Sequence, residues 1–313
     1  MREINTVSII GLGAVGAAYA ARLHDMDPDC LRVIADNDRS QRYSKEGFII
    51  NGKRYRFNYI APDEKVLPAD LLLIASKYHH LEQVTEDIRQ HIGSNTIILS
   101  LLNGISSEDI VGQRYGMDKI LYSMCLGIDA VREDEEISFV KTGKVYFGEK
   151  DNEVYSEKVR AVKALFDRAA IPYIIPQNML RTLWWKFMVN VGINQVSAVL
   201  RAPYGVFQRF EEPNELMESA MREVVRVSQQ TGVYLTEDDI RDYREVLQAA
   251  EPRGKTSMLQ DIEAGRKTEV EMLAGALIEL GHEHGVDTPI NEALYQAIRT
   301  LEQMTSDGAK EFT

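Results

Sequence analysis

Val7-Ser8-Ile9-Ile10-Gly11-Leu12-Gly13-Ala14-Val15-Gly16 decides how this chain is read. A short apolar run, suited to a buried strand, leads directly into glycines at G-x-G-x-x-G spacing. The small residues Ala17, Ala18, Ala20 and Ala21 follow, as a helix packed close to that strand requires. Gly11 permits the tight turn, Gly13 lets the backbone approach a pyrophosphate, and Gly16 lets the helix lie against the strand with its first amides facing the anion. Three glycines alone also describe a turn with no ligand. The strand before, the helix after and the place near the N-terminus favour a dinucleotide-binding fingerprint.

Outward from this motif, strands and helices alternate. Apolar runs at Leu31 to Ala35, Leu71 to Ala75, Thr96 to Leu101 and Ile120 to Ser123 predict a parallel sheet covered on both faces, with amphipathic segments such as Leu81 to His91 between them. Gly143 to Gly148 and Tyr173 to Ile175 read as further strands flanking a helix over Glu153 to Ala170. From about Gln177 the pattern is helical, over Asn178 to Leu200, Glu215 to Thr231, Glu237 to Ala249, Ser257 to His284 and Glu292 to Met304. The expected fold is therefore an α/β Rossmann-type dinucleotide-binding domain over residues 1–176, followed by an all-α domain over 177–313 that carries substrate-binding and dimerisation surface. A binding cleft between the two is expected.

Composition narrows the function classes. With 36 basic against 48 acidic residues the net charge is −12, and no basic cluster appears, so neither nucleic acid nor an anionic membrane is an expected partner. No apolar run approaches the ~18 residues of a membrane span, and no charged-then-apolar leader follows Met1, so a cytoplasmic protein is expected. Cys30 and Cys125 fit neither a disulfide framework nor a zinc site. His79-His80 and the pair His282 and His284 lack carboxylates at metal-site spacing, so no metal centre is expected. The acidic run Glu133 to Glu136 reads as an exposed loop between the late strands.

Within the first long helix, Lys186, Asn190 and Asn194 fall at i, i+4 and i+8, a polar stripe among Trp184, Trp185, Phe187, Met188, Val189, Val191 and Ile193. Each such group costs about 1–3 kcal/mol if buried without partners, so the stripe is expected to face water or a polar ligand. Lys77, past the strand Leu71 to Ala75, and Asn103-Gly104, past Thr96 to Leu101, fall where open α/β sheets bind ligands. On spacing alone they are equally a loop lysine and a turn dipeptide. Ser257, Asp261 and Glu269 are polar positions on what reads as one long helix, at offsets that drift about 40° per four residues.

Five blocks, in order, carry a resemblance: Gly11 to Gly16; Ser76-Lys77; Leu102-Asn103-Gly104; Trp185-Lys186 with Asn190 and Asn194; and Ser257 to Asp261 continuing to Thr268-Glu269. Over nearly its whole length the chain resembles the ketopantoate reductase (2-dehydropantoate 2-reductase) family. The resemblance implies a cytoplasmic oxidoreductase of pantothenate synthesis that reduces ketopantoate to pantoate, usually with NADPH, on a fold often found as a homodimer. It implies that Lys186 protonates the oxygen of the reduced carbonyl and that Glu269 meets the substrate hydroxyl near the cofactor. Ser257 is implied near the substrate carboxylate, and Asn190 and Asn194 on substrate oxygens. Asn103 and Lys77 are implied between cofactor and substrate, and Gly11, Leu12, Gly13, Ala14, Val15 and Gly16 around the pyrophosphate. Asp261 is expected only behind the site.

One position departs from the pattern. Many family members carry Arg at the end of the second strand to hold the NADPH 2′-phosphate, whereas this chain has Asp36, which favours NADH by accepting hydrogen bonds from the ribose hydroxyls. Arg39 and Arg42 follow within a turn and offer guanidinium groups to a phosphate, which keeps NADPH open. Two alternatives also stay open: a related 2-oxo acid reductase whose pocket is shaped by Tyr204, Phe207 and Met258, and a nicotinamide-binding redox sensor without chemistry.

Overall fold

The structure, a computed structural model, describes residues 3–128, 131–133 and 136–306. The chain divides into two compact units, Met1–Leu180 and Arg181–Thr313.

In the first unit β1 (Val7–Ile10) leads through Gly11 to α1 (Ala14–Met26), then β2 (Leu31–Ile34) and α2 (Asn37–Glu46). Next come three short strands, β3 (Phe48–Ile50), β4 (Lys53–Tyr55) and β5 (Tyr59–Ile60). They precede β6 (Leu71–Ile74), α3 (Leu81–Asp87), β7 (Ile97–Ser100), α4 (Ser107–Tyr115) and β8 (Ile120–Ile128). The unit closes with β9 (Val131–Glu133), β10 (Glu136–Ser138), β11 (Thr142–Gly148), α5 (Glu157–Arg168) and β12 (Tyr173–Ile174).

The main sheet has eight strands in the order β12-β11-β8-β7-β6-β1-β2-β5. From β8 to β5 every pairing is parallel, while β11 runs antiparallel to β8. β1, β6 and β7 are buried along their whole length, as central strands covered on both faces must be. Each fully buried Leu, Ile or Phe contributes on the order of 1.5–3 kcal/mol. Val159, Val162, Leu165 and Phe166 press α5 into the core shared by Tyr19, Leu31, Leu99 and Phe147.

A second sheet, β4-β3-β10-β9, was not expected. Its hairpin turns on Asn51-Gly52, both at positive φ, the backbone that suits a right-twisted hairpin. The acidic run therefore is no plain loop: Glu133 ends β9, Glu136 begins β10, and 134 and 135 lie outside the described residues.

From Met179 onward all regular structure among the described residues is helical. α6 (Met179–Val189), a π turn (Asn190–Asn194) and α7 (Gln195–Leu200) form one continuous run, ended by Arg201 in the left-handed conformation. α8 (Tyr204–Arg209), α9 (Glu211–Gln230), α10 (Glu237–Gln248) and α11 (Ser257–Glu263) follow. A second π turn (Glu271–Gly275) opens into α12 (Ala276–His284), and α13 (Pro289–Ser306) completes the unit. Phe187, Met188, Val191, Val224, Leu259, Leu273 and Ile298 are all buried in this unit. Glu223 of α9, 2% exposed, accepts the Ile290 and Asn291 backbone N–H groups at 3.0 Å each, so a carboxylate sits at the positive end of α13.

The single helix expected from Ser257 to His284 is broken. Gly265, at φ +65°, ends α11, and the Arg266 N–H returns to the Asp261 carbonyl at 2.8 Å. Asp261, buried, is held by Arg266 Nε at 2.8 Å. Ser257 and Glu269 therefore belong to different helical segments.

Candidate active site

In the first unit four loops leave the carboxyl ends of adjacent parallel strands at one level, because Ile10 pairs with both Ile34 and Ile74, and Ile74 with Ser100. The glycine turn follows β1, Asp36 follows β2, Ser76-Lys77 follow β6, and Leu102-Asn103-Gly104 follow β7. The carboxyl end of the sheet thus carries the glycine turn, Asp36, Lys77 and Asn103, with Arg39 in the first turn of α2.

The three glycines are not equivalent. A Cβ at Gly11, whose φ is +96°, would lie 2.6 Å from the Ala75 carbonyl carbon, and one at Gly16 would lie 2.0 Å from the Gly11 oxygen. Chain packing accounts for both. Gly13 has an ordinary φ of −73°, and its Cβ would meet nothing nearer than 3.9 Å, so nothing within the protein demands glycine there. Gly13 is also the N-cap of α1, gives it no side-chain cap, and no acidic residue occupies the first turn. This open, uncapped helix start, bounded by Leu12, Ala14 and Val15, fits a pyrophosphate approaching the backbone.

Asp36 caps α2: its Oδ1 accepts the Arg39 N–H at 2.7 Å, and its Oδ2 lies 3.4 Å from Arg39 Nε. The Arg42 guanidinium lies over the Tyr43 ring, 5.1 Å from its centre. Lys77 is exposed and Asn103 half-buried, in a loop that turns at Gly104 with φ +87°.

Beneath that loop lies a polar cluster that the sequence did not announce. Ser100 and Ser107 share a hydroxyl hydrogen bond of 2.8 Å across the loop, Ser107 Oγ donates to Glu108 Oε2 at 2.8 Å, and the Ser123 N–H donates to Glu108 Oε1 at 3.3 Å. Burial pushes the Glu108 carboxyl from 4.5 up to about 7, against the lowering effect of these donors. A carboxyl whose pKa is higher folded than unfolded stabilises the fold fully below about 4.5, and that contribution is lost as pH rises through about 7. Glu108→Gln keeps the group neutral and retains an acceptor for the Ser123 N–H. Relative to wild type it should gain on the order of 3 kcal/mol between pH 4 and pH 8, read from urea midpoints. An offset that does not change with pH would refute this.

In the second unit Lys186 and Asn194 are each 8% exposed, and Asn190 is half-buried. In an uninterrupted α-helix the face drifts about 40° per four residues, so Asn194 would point well away from Lys186. The i→i+5 turn over Asn190–Asn194 counters that drift and returns Asn194 toward the Lys186 side.

Ser257 is exposed at the first position of α11, whose cap Thr256 also donates to Ser197 Oγ of α7 at 3.2 Å. Glu269, half-buried, precedes the second π turn. The loop before it is held by Glu302, which accepts from the Thr268 N–H at 2.7 Å and hydroxyl at 2.6 Å. α11 packs on α7 and the first π turn, and the two π turns pack on each other, so α11, which carries Ser257, and the π turn that follows Glu269 both lie against the turn that follows Lys186 in the chain, despite the broken helix. Phe207 and Met258, expected to shape a pocket, are core residues at 0% and 2% exposure.

Residues 7–152 match the profile described as Ketopantoate reductase PanE/ApbA, and residues 178–302 match Ketopantoate reductase PanE/ApbA C terminal. The chain belongs to the ketopantoate reductase family. It is 25% identical over 299 residues to the 2-dehydropantoate 2-reductase of Aquifex aeolicus (strain VF5), covering 94% of this chain and 96% of that one. Among solved structures, D-mandelate dehydrogenase with NADH and anilino(oxo)acetate superposes with a TM-score of 0.84 at 22% identity, over 96% of this chain and 99% of that one. A dimeric ketopantoate reductase from Staphylococcus aureus superposes with a TM-score of 0.81 at 20% identity, over 96% and 100%. As a member of the ketopantoate reductase family, the chain is an NAD(P)-dependent oxidoreductase. No helix among the described residues is long and apolar enough to cross a membrane.

Proposed function

We propose that this chain reduces a small 2-oxo acid to its 2-hydroxy acid, with ketopantoate as the substrate and Lys186 as the proton donor. The observation that carries this reading is Lys186, 8% exposed, on the helical run where a π turn returns Asn194 toward its side. A bound nicotinamide supplies two electrons as hydride to the carbonyl carbon. Negative charge then develops on the carbonyl oxygen, where the Lys186 ammonium stabilises it and releases a proton to it; the amine regains a proton from solvent. Asn190 and Asn194 hold substrate oxygens, Ser257 the carboxylate, and Glu269 the substrate hydroxyl.

Asp36 selects NADH. Its carboxylate is fixed in place by its role as the α2 cap, so it presents negative charge where a 2′-phosphate would sit, and Arg39 is turned onto Asp36 itself. Asp36→Ser retains a cap acceptor and removes the charge, so kcat/KM for NADPH relative to NADH should rise about tenfold or more. An unchanged ratio would assign the preference elsewhere.

A second reading rests on the fold likeness to D-mandelate dehydrogenase: the substrate is an aryl 2-oxo acid. Initial rates with ketopantoate and with phenylglyoxylate, each with NADH and NADPH, decide between them. A higher kcat/KM for ketopantoate supports the first reading, a higher value for phenylglyoxylate the second. Turnover of neither, with cofactor bound, rejects both.

A further inference from the structure

We infer that Gln195 and Asn291 are positioning residues that hold the π turn Asn190–Asn194 in the register that aligns the amides with Lys186; the functional half of this inference rests on the reading above. In an α-helix the Gln195 backbone N–H would bond to the Val191 carbonyl, four residues back. Here it donates to the Gly192 carbonyl instead. The donor to Val191 O is the side chain of the same residue: Gln195 Nε2 lies 2.7 Å from it, fully buried. The side-chain amide thus donates where the backbone amide of the same residue would donate in an α-helix, which supports the wider turn.

The side chain is itself fixed from another helix. Gln195 Nε2 also donates to Asn291 Oδ1 at 2.8 Å, and Asn291 Nδ2 donates to Glu223 Oε2 at 2.7 Å and to the Ala220 carbonyl at 3.2 Å. Gln195 and Asn291 are both 0% exposed, so the tie runs through the buried interior from α9 and α13 to the turn. Gly192, inside the turn, adds a constraint: a Cβ there would lie 2.6 Å from the Met221 side chain and 3.1 Å from the Met217 carbonyl. A turn seated this closely on α9 can lean on it for its geometry. Asn291 also serves the buried Glu223 carboxylate, whereas an apolar side chain at 195 would fill the space without desolvating an amide.

The test is Gln195→Met, close in volume and without a donor. With the side-chain donor to Val191 O removed, the backbone N–H at position 195 is expected to take its place, so a crystal structure should show residues 190–194 in α register. For the preferred 2-oxo acid kcat/KM should fall about 10- to 100-fold, while cofactor Kd, set by the glycine turn of the first unit, stays within twofold of wild type. Gln195→Asn, which keeps the amide but shortens its reach, should shift both readouts the same way by less, and serves if the Met variant does not fold. A retained π turn overturns the inference, as does an α register with kcat/KM within twofold of wild type. If the wild-type enzyme turns over no 2-oxo acid, the functional reading fails by itself, and the register in the variant crystal still decides the structural claim.

Discussion

Lys186→Ala should lower kcat for the preferred 2-oxo acid by about 10²- to 10⁴-fold, the usual range for removing a positioned proton donor. The cost falls on the transition state, where charge builds on the carbonyl oxygen away from bulk water and alanine offers neither charge nor proton. Cofactor binding should be nearly unchanged, because the glycine turn and Asp36 lie in the first unit and do not depend on this side chain. Lys186→Arg should not rescue the rate, since guanidinium retains the charge but does not give up its proton. Steady-state kinetics with titration of NADH fluorescence checks each part. A nicotinamide-binding sensor has no chemistry for Lys186 to carry, so comparable turnover in variant and wild type would remove the catalytic assignment.

The second large effect separates two glycines of one motif. Gly16→Ala places a Cβ against a backbone oxygen that cannot yield, so the first unit should lose about 3 kcal/mol or more and melt well below wild type. At Gly13 a Cβ meets nothing nearer than the Ala75 oxygen at 3.9 Å and φ is acceptable, so Gly13→Val should melt close to wild type yet bind the cofactor at least 100-fold more weakly, because the isopropyl group occupies the approach to the α1 N-terminus. Calorimetry beside cofactor titration distinguishes stability from binding. A Gly13→Val protein that melts as low as Gly16→Ala while binding cofactor normally would show that Gly13 serves packing.

The parts of the fold legible in the sequence were those whose physics is local. β1, β6 and β7 are near-continuous apolar runs, interrupted only by Ser8 and Ser100, and such short runs bounded by turn residues have few other solutions than buried strands. The second sheet escaped notice because β3, β4, β9 and β10 have three residues each, too few for periodicity, although Asn51-Gly52 is a hairpin signal. The break after α11 was read through although the sequence marks it: between Ile262 and Val270 only Ala264 is apolar, and Gly265, at positive φ, is the residue type that commonly follows a helix end.

Site residues followed the same division. The i, i+4, i+8 spacing put Lys186, Asn190 and Asn194 on one helix, but it cannot tell an α turn from a π turn, and that difference decides where Asn194 points. Glu108 reads as an ordinary first-turn acid, and its burial depends on β7 and β8 closing over it from elsewhere in the chain. Gln195 and Asn291, 96 residues apart, meet only in the folded core.

Hydride delivery from nicotinamide to the carbonyl carbon of a 2-oxo acid is the central claim, and an isotope experiment tests it most directly. The enzyme is incubated with ketopantoate and reduced cofactor deuterated on the transferred face of the nicotinamide ring, and the product is examined by NMR and mass spectrometry. The account predicts pantoate with one deuterium at its hydroxyl-bearing carbon, formed in step with cofactor oxidation. Cofactor oxidised without deuterium at that carbon, or pantoate formed without cofactor oxidation, would contradict it.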